Sequence, residues 1–188
     1  MRNVAHADSL NNTYNHYPPS SPLRPPTLFA LISLLNTLSD LPSLPLSPTL
    51  LSTALSQWSI PDTEKVAFLS SASAIYESAR SFSKALELHV LALGLSVDTK
   101  VVEKALVLAI AVEDRFNLDE VLRVQGVKDG ITGTLGELVK LFTGVDELEA
   151  VKQGQEWLSS NRSYLEGFGQ SRGGFLESRL KILQASSN

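Results

Sequence analysis

The sequence contains no cysteine among its 188 residues, which excludes disulfides, cysteine-ligated zinc sites and thiol catalysis. Lysine and arginine number 16 against 20 aspartates and glutamates, and a net charge of −4 gives no general electrostatic footprint for nucleic acid. No uncharged apolar run reaches the roughly 18 residues of a membrane span, and the N-terminus lacks the apolar core of a signal peptide. We therefore expect no membrane contact, no direct sequence-specific nucleic-acid binding and a cytoplasmic location.

Helical periodicity is present along most of the chain, and no long window alternates with the period of a strand. Apolar residues recur at helical spacing over 28–38, 49–58, 62–79, 82–94, 101–112, 117–124, 133–142, 146–158, 161–169 and 175–184. Asp98 offers an N-cap oxygen to the helix at 101–112, which is apolar almost all round and must be covered on several sides. Because short links make neighbouring helices antiparallel, the sequence predicts an all-α stack of helical hairpins.

Composition divides the chain into an N-terminal arm and a helical domain. Residues 1–26 are polar and rich in proline, so we expect a flexible arm whose residues 1–13 have too little apolar content to become ordered. Residues 27–188 form the predicted helical-repeat domain. Pro42, Pro45 and Pro48 interrupt it with an extended loop, and Pro48 then starts the next helix. The predicted hairpins pair 28–38 with 49–58, 62–79 with 82–94, and 101–112 with 117–124.

The hairpins share a layout rather than a repeated sequence. The helix starts at Asp62 and Asp98 are 36 residues apart, close to the tetratricopeptide period of about 34. The residue pattern of 76–87 also resembles that of a tetratricopeptide turn, but no other stretch of the sequence shows this pattern clearly. The pattern indicates a degenerate helical solenoid.

Several short motifs follow one another in the order found in a known family. They are Tyr14-Asn15 before Pro18-Pro19-Ser20-Ser21-Pro22-Leu23-Arg24, then Gln57-Trp58-Ser59-Ile60, Asp62-Thr63-Glu64-Lys65, Ala85-Leu86-Glu87-Leu88, Phe116-Asn117-Leu118-Asp119, Val127-Lys128, and Gly136-Glu137-Leu138 with Leu141-Phe142. Over roughly 14–183 the chain resembles the subunit M family of eukaryotic translation initiation factor three. That family has a PCI domain, as do subunits of the proteasome lid and the COP9 signalosome.

The resemblance implies a right-handed solenoid of helical hairpins, with tetratricopeptide- or HEAT-like repeats, as in the helical part of a PCI domain. The winged helix that completes this domain in the family is expected to be missing, because the sequence ends at Asn188 before its strands. The resemblance also implies a non-catalytic scaffold subunit of the initiation factor. Such a subunit binds other subunits of the factor and supports recruitment of mRNA and, indirectly, of the small ribosomal subunit.

The last predicted helix carries an apolar stripe that a winged helix would cover in the family. The candidate partner surface on this stripe consists of Phe175, Leu176, Leu180 and Leu183. Two alternatives stay open: a helical-repeat adaptor that binds a peptide in its groove, and another PCI-family subunit of the signalosome or lid type. Residues 69–76 and 106–110 offer small and aliphatic side chains instead of Asn, Lys or Arg, which favours flat subunit packing.

No catalytic, cofactor-binding or metal site is predicted. His89 lies on an apolar helical face, where a packed histidine is favoured over a ligand or a base, and His6 and His16 lack acidic partners at ligand spacing. The glycines around Lys128 lack the order of a phosphate-binding loop, and no strand precedes them. We therefore expect no enzymatic activity.

Two charged groups are interpreted as ordinary surface. Asp146, Glu147 and Glu149 are typical of the first turn of a solvated helix, where the helix dipole favours negative charge. The one basic cluster is Arg162, Arg172, Arg179 and Lys181. Its charges are spread over twenty residues, so a solvated face is favoured over a contact with ribosomal RNA.

Overall fold

The computed structural model describes residues 2–112, 116–143 and 147–166. These residues form ten α-helices and no strand, which confirms the predicted all-α class. The helices are α1 (Arg2–His16), α2 (Arg24–Thr37), α3 (Pro48–Gln57), α4 (Asp62–Ser78), α5 (Phe82–Leu95), α6 (Thr99–Ala111), α7 (Phe116–Arg123), α8 (Gly133–Thr143), α9 (Glu147–Ser160) and α10 (Arg162–Glu166). Single 3-10 turns occur at Leu41–Ser43 and Lys128–Gly130. The predicted helix at 175–184 lies outside the described residues.

Two helix starts follow directly from their capping residues. Pro48 opens α3 as predicted, and the Ser47 hydroxyl oxygen accepts a hydrogen bond from the Leu50 backbone N–H at 3.2 Å. Asp98 caps α6 as predicted, with its Oδ1 accepting from the Lys100 backbone N–H at 2.8 Å. These oxygens satisfy donors in the first turn that have no partner within the helix.

The N-terminal segment differs from the predicted arm. Within residues 1–26 the structure places all of α1 and the first turn of α2, where Pro25 and Pro26 fit because their positions need no N–H. Helix α1 packs on α2 and buries Ala7. The expectation from composition missed this helix because helical stability in proteins comes mostly from tertiary packing and less from the content of one segment.

The chain divides into two compact units, with the boundary between Val97 and Asp98. The predicted helical-repeat domain, 27–188, therefore covers most of the first unit and all of the second. In the first unit α2 packs against α1 and α4, α3 packs against α5, and α4 packs most extensively against α5. Its core contains Ile32, Leu51, Leu69, Leu88 and Leu93, all nearly inaccessible to solvent.

The first unit contains the predicted hairpin of α4 and α5, but the predicted pairing of α2 with α3 is weak. The main neighbours of α2 are α1 and α4, because the long connection at 38–47 does not hold α2 and α3 together as a tight turn would. A tight turn does join α4 to α5: Arg80 has φ of 59°, and the Ser81 N–H donates to the Tyr76 carbonyl oxygen at 2.8 Å. This left-handed residue ends α4 as glycine usually does.

The second unit is built around α6, which packs against α7 and α8, while α8 packs against α9. As predicted, α6 is covered on several sides: its buried residues are Val101, Val102, Ala105, Leu106, Val107, Leu108, Ala109 and Ile110. Trp157 on α9 is buried and meets the ring of Tyr164 on α10 edge to face, with centroids 6.2 Å apart. The Tyr164 hydroxyl donates to Glu103 Oε1 at 2.6 Å and so ties α10 to α6.

Candidate functional site

His89 is packed, as its position on an apolar face predicted. It lies on α5 with only 1% of its surface exposed, and its Nε2 is 3.5 Å from Oε1 of Glu77 on α4. Ser73, also fully buried on α4, donates its hydroxyl to the Ala85 carbonyl oxygen on α5 at 3.0 Å. The side chains of His89, Glu77 and Ser73 link α4 to α5, the two described helices that pack most extensively against each other.

The same cluster contains the residue types of a hydrolase triad, but its geometry is that of a structural link. A nucleophilic serine must pass its proton to the histidine during attack. Here the Ser73 hydroxyl donates to a backbone carbonyl, and its second neighbour at 3.4 Å is Glu77 Oε1. The cluster therefore joins α4 to α5 and offers no nucleophile to a substrate.

Burial raises the pKa of Tyr76, which lies on α4 between Ser73 and Glu77, and the charge of Glu87 adds to this effect.

The glycine-rich segment near Lys128 forms a loop and a helix entry, as predicted. Lys128–Gly130 is one 3-10 turn, and Gly133 opens α8 with φ of 59°, a conformation that favours glycine. Among the described residues, no three His, Asp or Glu side chains gather where a metal ion would be held. None of the described helices is long and apolar enough to cross a membrane.

The predicted partner surface, Phe175, Leu176, Leu180 and Leu183, lies outside the described residues. The same holds for Arg172, Arg179 and Lys181 of the basic cluster, whereas its fourth member, Arg162, is exposed at the first position of α10.

A groove that the sequence did not predict opens in the first unit, and we call it the α2 groove. It has a volume of about 610 Å³, within the roughly 300–1,000 Å³ range of ligand pockets. Its lining residues come from α1, α2, the connection at 38–47 and α3. Eight leucines line it: Leu28, Leu31, Leu35, Leu38, Leu44, Leu46, Leu50 and Leu51. Leu28, Leu31 and Leu35 form one buried ridge, because they are spaced by three and four residues along α2.

Polar groups also line the groove. The Arg24 guanidinium lies 4.2 Å from the centroid of the Tyr14 ring, and its Nε donates to the Tyr14 carbonyl oxygen at 3.3 Å. Asp8 on α1 and Asp40 after α2 are exposed. Neither carboxylate forms an ion pair with another described residue. The side chain of Leu50, on α3, is 60% exposed.

Sequence reasoning missed the α2 groove because part of its lining belongs to α1. The pattern that predicts this helix is Ala7, Leu10 and Tyr14 at spacings of three and four, a stripe too sparse to stand out among polar residues. Its lining also comes from four separate segments, which only the tertiary structure brings together.

No family profile and no solved structure gives a match to this chain. The resemblance to the subunit M family therefore rests on the order of its sequence motifs and stays a prediction.

Proposed function

We propose that the chain is a non-catalytic scaffold subunit of eukaryotic translation initiation factor three, and that its helical surfaces bind other subunits of that complex. The order of the motifs between Tyr14 and Phe142 supports this assignment. In the proposal the protein works in the cytoplasm, reaches the small ribosomal subunit indirectly and makes no sequence-specific contact with nucleic acid.

The observation that carries the proposal is the layering of the helices. In the first unit α2 lies beside α4 and α3 beside α5, and in the second unit α6 lies beside α8. Contact between helices two places apart is how successive helical hairpins stack in solenoid proteins, which use the remaining helix faces to bind other chains. The finer fold that we propose is a right-handed solenoid of tetratricopeptide- or HEAT-like hairpins of the PCI type.

The test is purification of the tagged full chain from its source organism, followed by mass spectrometry of the proteins that accompany it. A tagged helical protein of similar size and charge serves as the control. We expect initiation-factor subunits to be enriched over the control. Enrichment of signalosome or proteasome-lid subunits in their place would contradict the proposal and support another PCI-family subunit.

The candidate partner surface at 175–183 is part of the same proposal. Replacing Leu180 and Leu183 with Ser is expected to improve the solubility of the chain and to reduce co-purification of initiation-factor subunits. Retention of every partner by this double variant would show that the stripe is not a partner surface.

A helical-repeat adaptor is the second candidate, and the lining of the α2 groove favours it. Asn11, Asn15 and Gln57 add side-chain amides to this lining, and such amides hydrogen-bond peptide groups. The co-purification experiment separates the two candidates, since an adaptor would bring down a client protein without the initiation factor.

A further inference from the structure

We propose that Ser21 is the acceptor of a proline-directed protein kinase, and that its phosphate draws the Arg24 side chain away from Tyr14 and so loosens α1 from α2. Ser21 lies in the connection between these two helices, within the sequence Ser21-Pro22-Leu23-Arg24. The modification is an addition to the scaffold role proposed above and does not depend on it.

The connection at 17–23 is accessible and is held mostly by local hydrogen bonds. Its exposed residues are Pro18, Pro19, Ser20, Pro22 and Leu23, and Ser21 is half-buried. The Ser21 N–H donates to the Pro18 carbonyl oxygen at 2.9 Å, and one bond from outside the segment, from the Ser59 N–H, reaches the Ser20 carbonyl oxygen at 3.4 Å. A segment with so few long-range bonds can open locally and enter a kinase while the rest of the unit stays folded.

The hydroxyl of Ser21 is available for modification. Its Oγ accepts a hydrogen bond from the Leu23 N–H at 3.3 Å, and it donates to no other described residue. The oxygens of a phosphoserine are also acceptors, so the modified residue can keep this bond. Phosphorylation of Ser21 therefore removes no hydrogen bond that the hydroxyl donates within the described chain.

The residues after Ser21 indicate the class of kinase. A substrate N–H that is buried in a kinase without an acceptor costs free energy. Pro22 has no N–H, so a kinase that offers no acceptor at this position selects proline there. Three residues after the serine, the Arg24 guanidinium can pair with an acidic or phosphate group of the kinase.

Ser47 provides a control within the same chain. It is the other serine that precedes a proline, Pro48, and its hydroxyl oxygen accepts from the Leu50 N–H at 3.2 Å at the start of α3. Leu50 occupies the position that Arg24 has relative to Ser21. Ser47 thus shares the proline and lacks the cation, and we expect it to be the poorer acceptor.

The transfer uses MgATP as the second substrate. The Ser21 Oγ forms a bond to the γ-phosphorus, and the bond from this phosphorus to the bridging oxygen of the β-phosphate breaks. The catalytic aspartate of the kinase takes the hydroxyl proton, and ADP leaves.

The phosphate acts on Arg24 because a single turn brings the two residues together, with the Arg24 N–H donating to the Ser21 carbonyl oxygen at 3.2 Å. In the unmodified chain the Arg24 guanidinium lies 4.2 Å from the centroid of the Tyr14 ring, and its Nε donates to the Tyr14 carbonyl oxygen at 3.3 Å. A phosphate carries a charge of about −1.5 to −2 at pH 7 and binds arginine in a bidentate manner, whereas the ring and the carbonyl are neutral. Arg24 therefore turns to the phosphate, and α1 loses this link to the start of α2.

The first test measures the rate at which a cyclin-dependent kinase with MgATP labels the full chain, with the modified serine identified by mass spectrometry of the peptides. We expect Ser21 to carry the phosphate, Ser21→Ala to abolish that labelling, and Ser47→Ala to leave it unchanged. Arg24→Gln should lower the rate at Ser21 about tenfold, and Arg24→Lys should recover part of it because the charge is kept. Labelling of Ser47 as fast as Ser21, no labelling of Ser21, or an unchanged rate in Arg24→Gln would overturn the proposal.

The second test follows hydrogen exchange of the backbone amides by mass spectrometry before and after complete phosphorylation. We expect the amides of α1 to exchange several-fold faster in the phosphorylated chain, while α4 and α5 keep their rates and serve as the internal reference. Unmodified Arg24→Gln should show the same acceleration in α1, and phosphorylation of this variant should add little, because the contact with Tyr14 is already lost. Unchanged exchange of α1 after phosphorylation of the wild-type chain would overturn the proposed release of Arg24.

Discussion

Leu106 lies in the middle of α6 with no exposed surface, and its neighbours Ala105 and Val107 are equally buried. A charge placed there has no solvent-facing side to turn toward. Replacing Leu106 with Asp should therefore lower the free energy of unfolding by several kcal/mol, roughly 3–5. Urea denaturation followed by circular dichroism measures the change. Lys104→Asp puts the same side chain on an exposed position of the same helix and should cost less than about 1 kcal/mol. Equal loss in the two variants would mean that α6 is not central to its unit.

Tyr164 makes the stability of the second unit sensitive to alkaline pH. Burial raises the pKa of its hydroxyl above the ordinary value of 10.0, and the hydrogen bond to Glu103 and the charge of that carboxylate raise it further. The folded chain therefore keeps this proton at pH values where the unfolded chain loses it. The stabilisation is complete below pH 10 and decreases as the pH rises above 10.

Removing this hydroxyl tests the account directly. Tyr164→Phe should lower the free energy of unfolding by about 1 kcal/mol at neutral pH, since the lost bond has a charged acceptor but is only partly buried. The variant should also lose less stability than the wild type between neutral pH and pH values above 10. Tyr17→Phe is the control, because that hydroxyl makes no hydrogen bond to the described residues. An unchanged pH profile in the Tyr164 variant would contradict the assignment.

At the scale of elements, α1 is the helix whose contribution is easiest to isolate. It packs on α2 and buries Ala7, so deletion of residues 1–13 should lower the melting temperature by about 4 °C or more. This is the reverse of what the flexible arm expected from composition implies, because removal of an unordered segment would leave the melting temperature unchanged. Ala7→Asp should also lower the melting temperature, whereas Ala5→Asp, on an exposed position of the same helix, should not. Identical melting curves for the full and shortened chains would instead support the expectation that residues 1–13 are a flexible arm.

Two of the helices that the sequence predicts well have a local start. Ser47 with Pro48, and Asp98, fix the starts of α3 and α6 through bonds that span three residues or fewer. Helix α1 has no such start and few apolar residues, so its stability depends on α2, which sequence periodicity does not place. The α2 groove is harder still to predict from the sequence, because its lining residues come from three helices and a connection that only the tertiary structure brings together.

The distinction between what local sequence determines and what tertiary packing determines also applies to the polar residues. The apolar surroundings of His89 were predictable, since its own helix supplies them at three- and four-residue spacing. Its approach to Glu77 was not, because the two residues are twelve apart and meet only through the tight turn at Arg80. Local spacing determines which face of a helix is buried, and the turn determines which residue of the neighbouring helix it meets.

At the scale of the whole molecule, the boundary between the two units lies in an exposed stretch. Ser96, Val97 and Asp98 are all exposed, and the helices on the N-terminal side have their own buried core. A boundary in exposed chain is where a unit can be separated with little loss of its own packing.

A fragment of residues 1–97 should therefore fold on its own. It keeps the extensive α4–α5 interface, the buried link from Ser73 to the Ala85 carbonyl, and the contacts of α2 with α1 and α4. We expect a helical circular dichroism spectrum and one cooperative urea transition. A fragment of residues 1–80 lacks α5 and with it the buried side chains of Leu86, Leu88 and Leu93, so it should show no cooperative transition. If residues 1–97 remain unfolded while the full chain unfolds cooperatively, the first unit depends on the second, and the two must be treated as one folding unit.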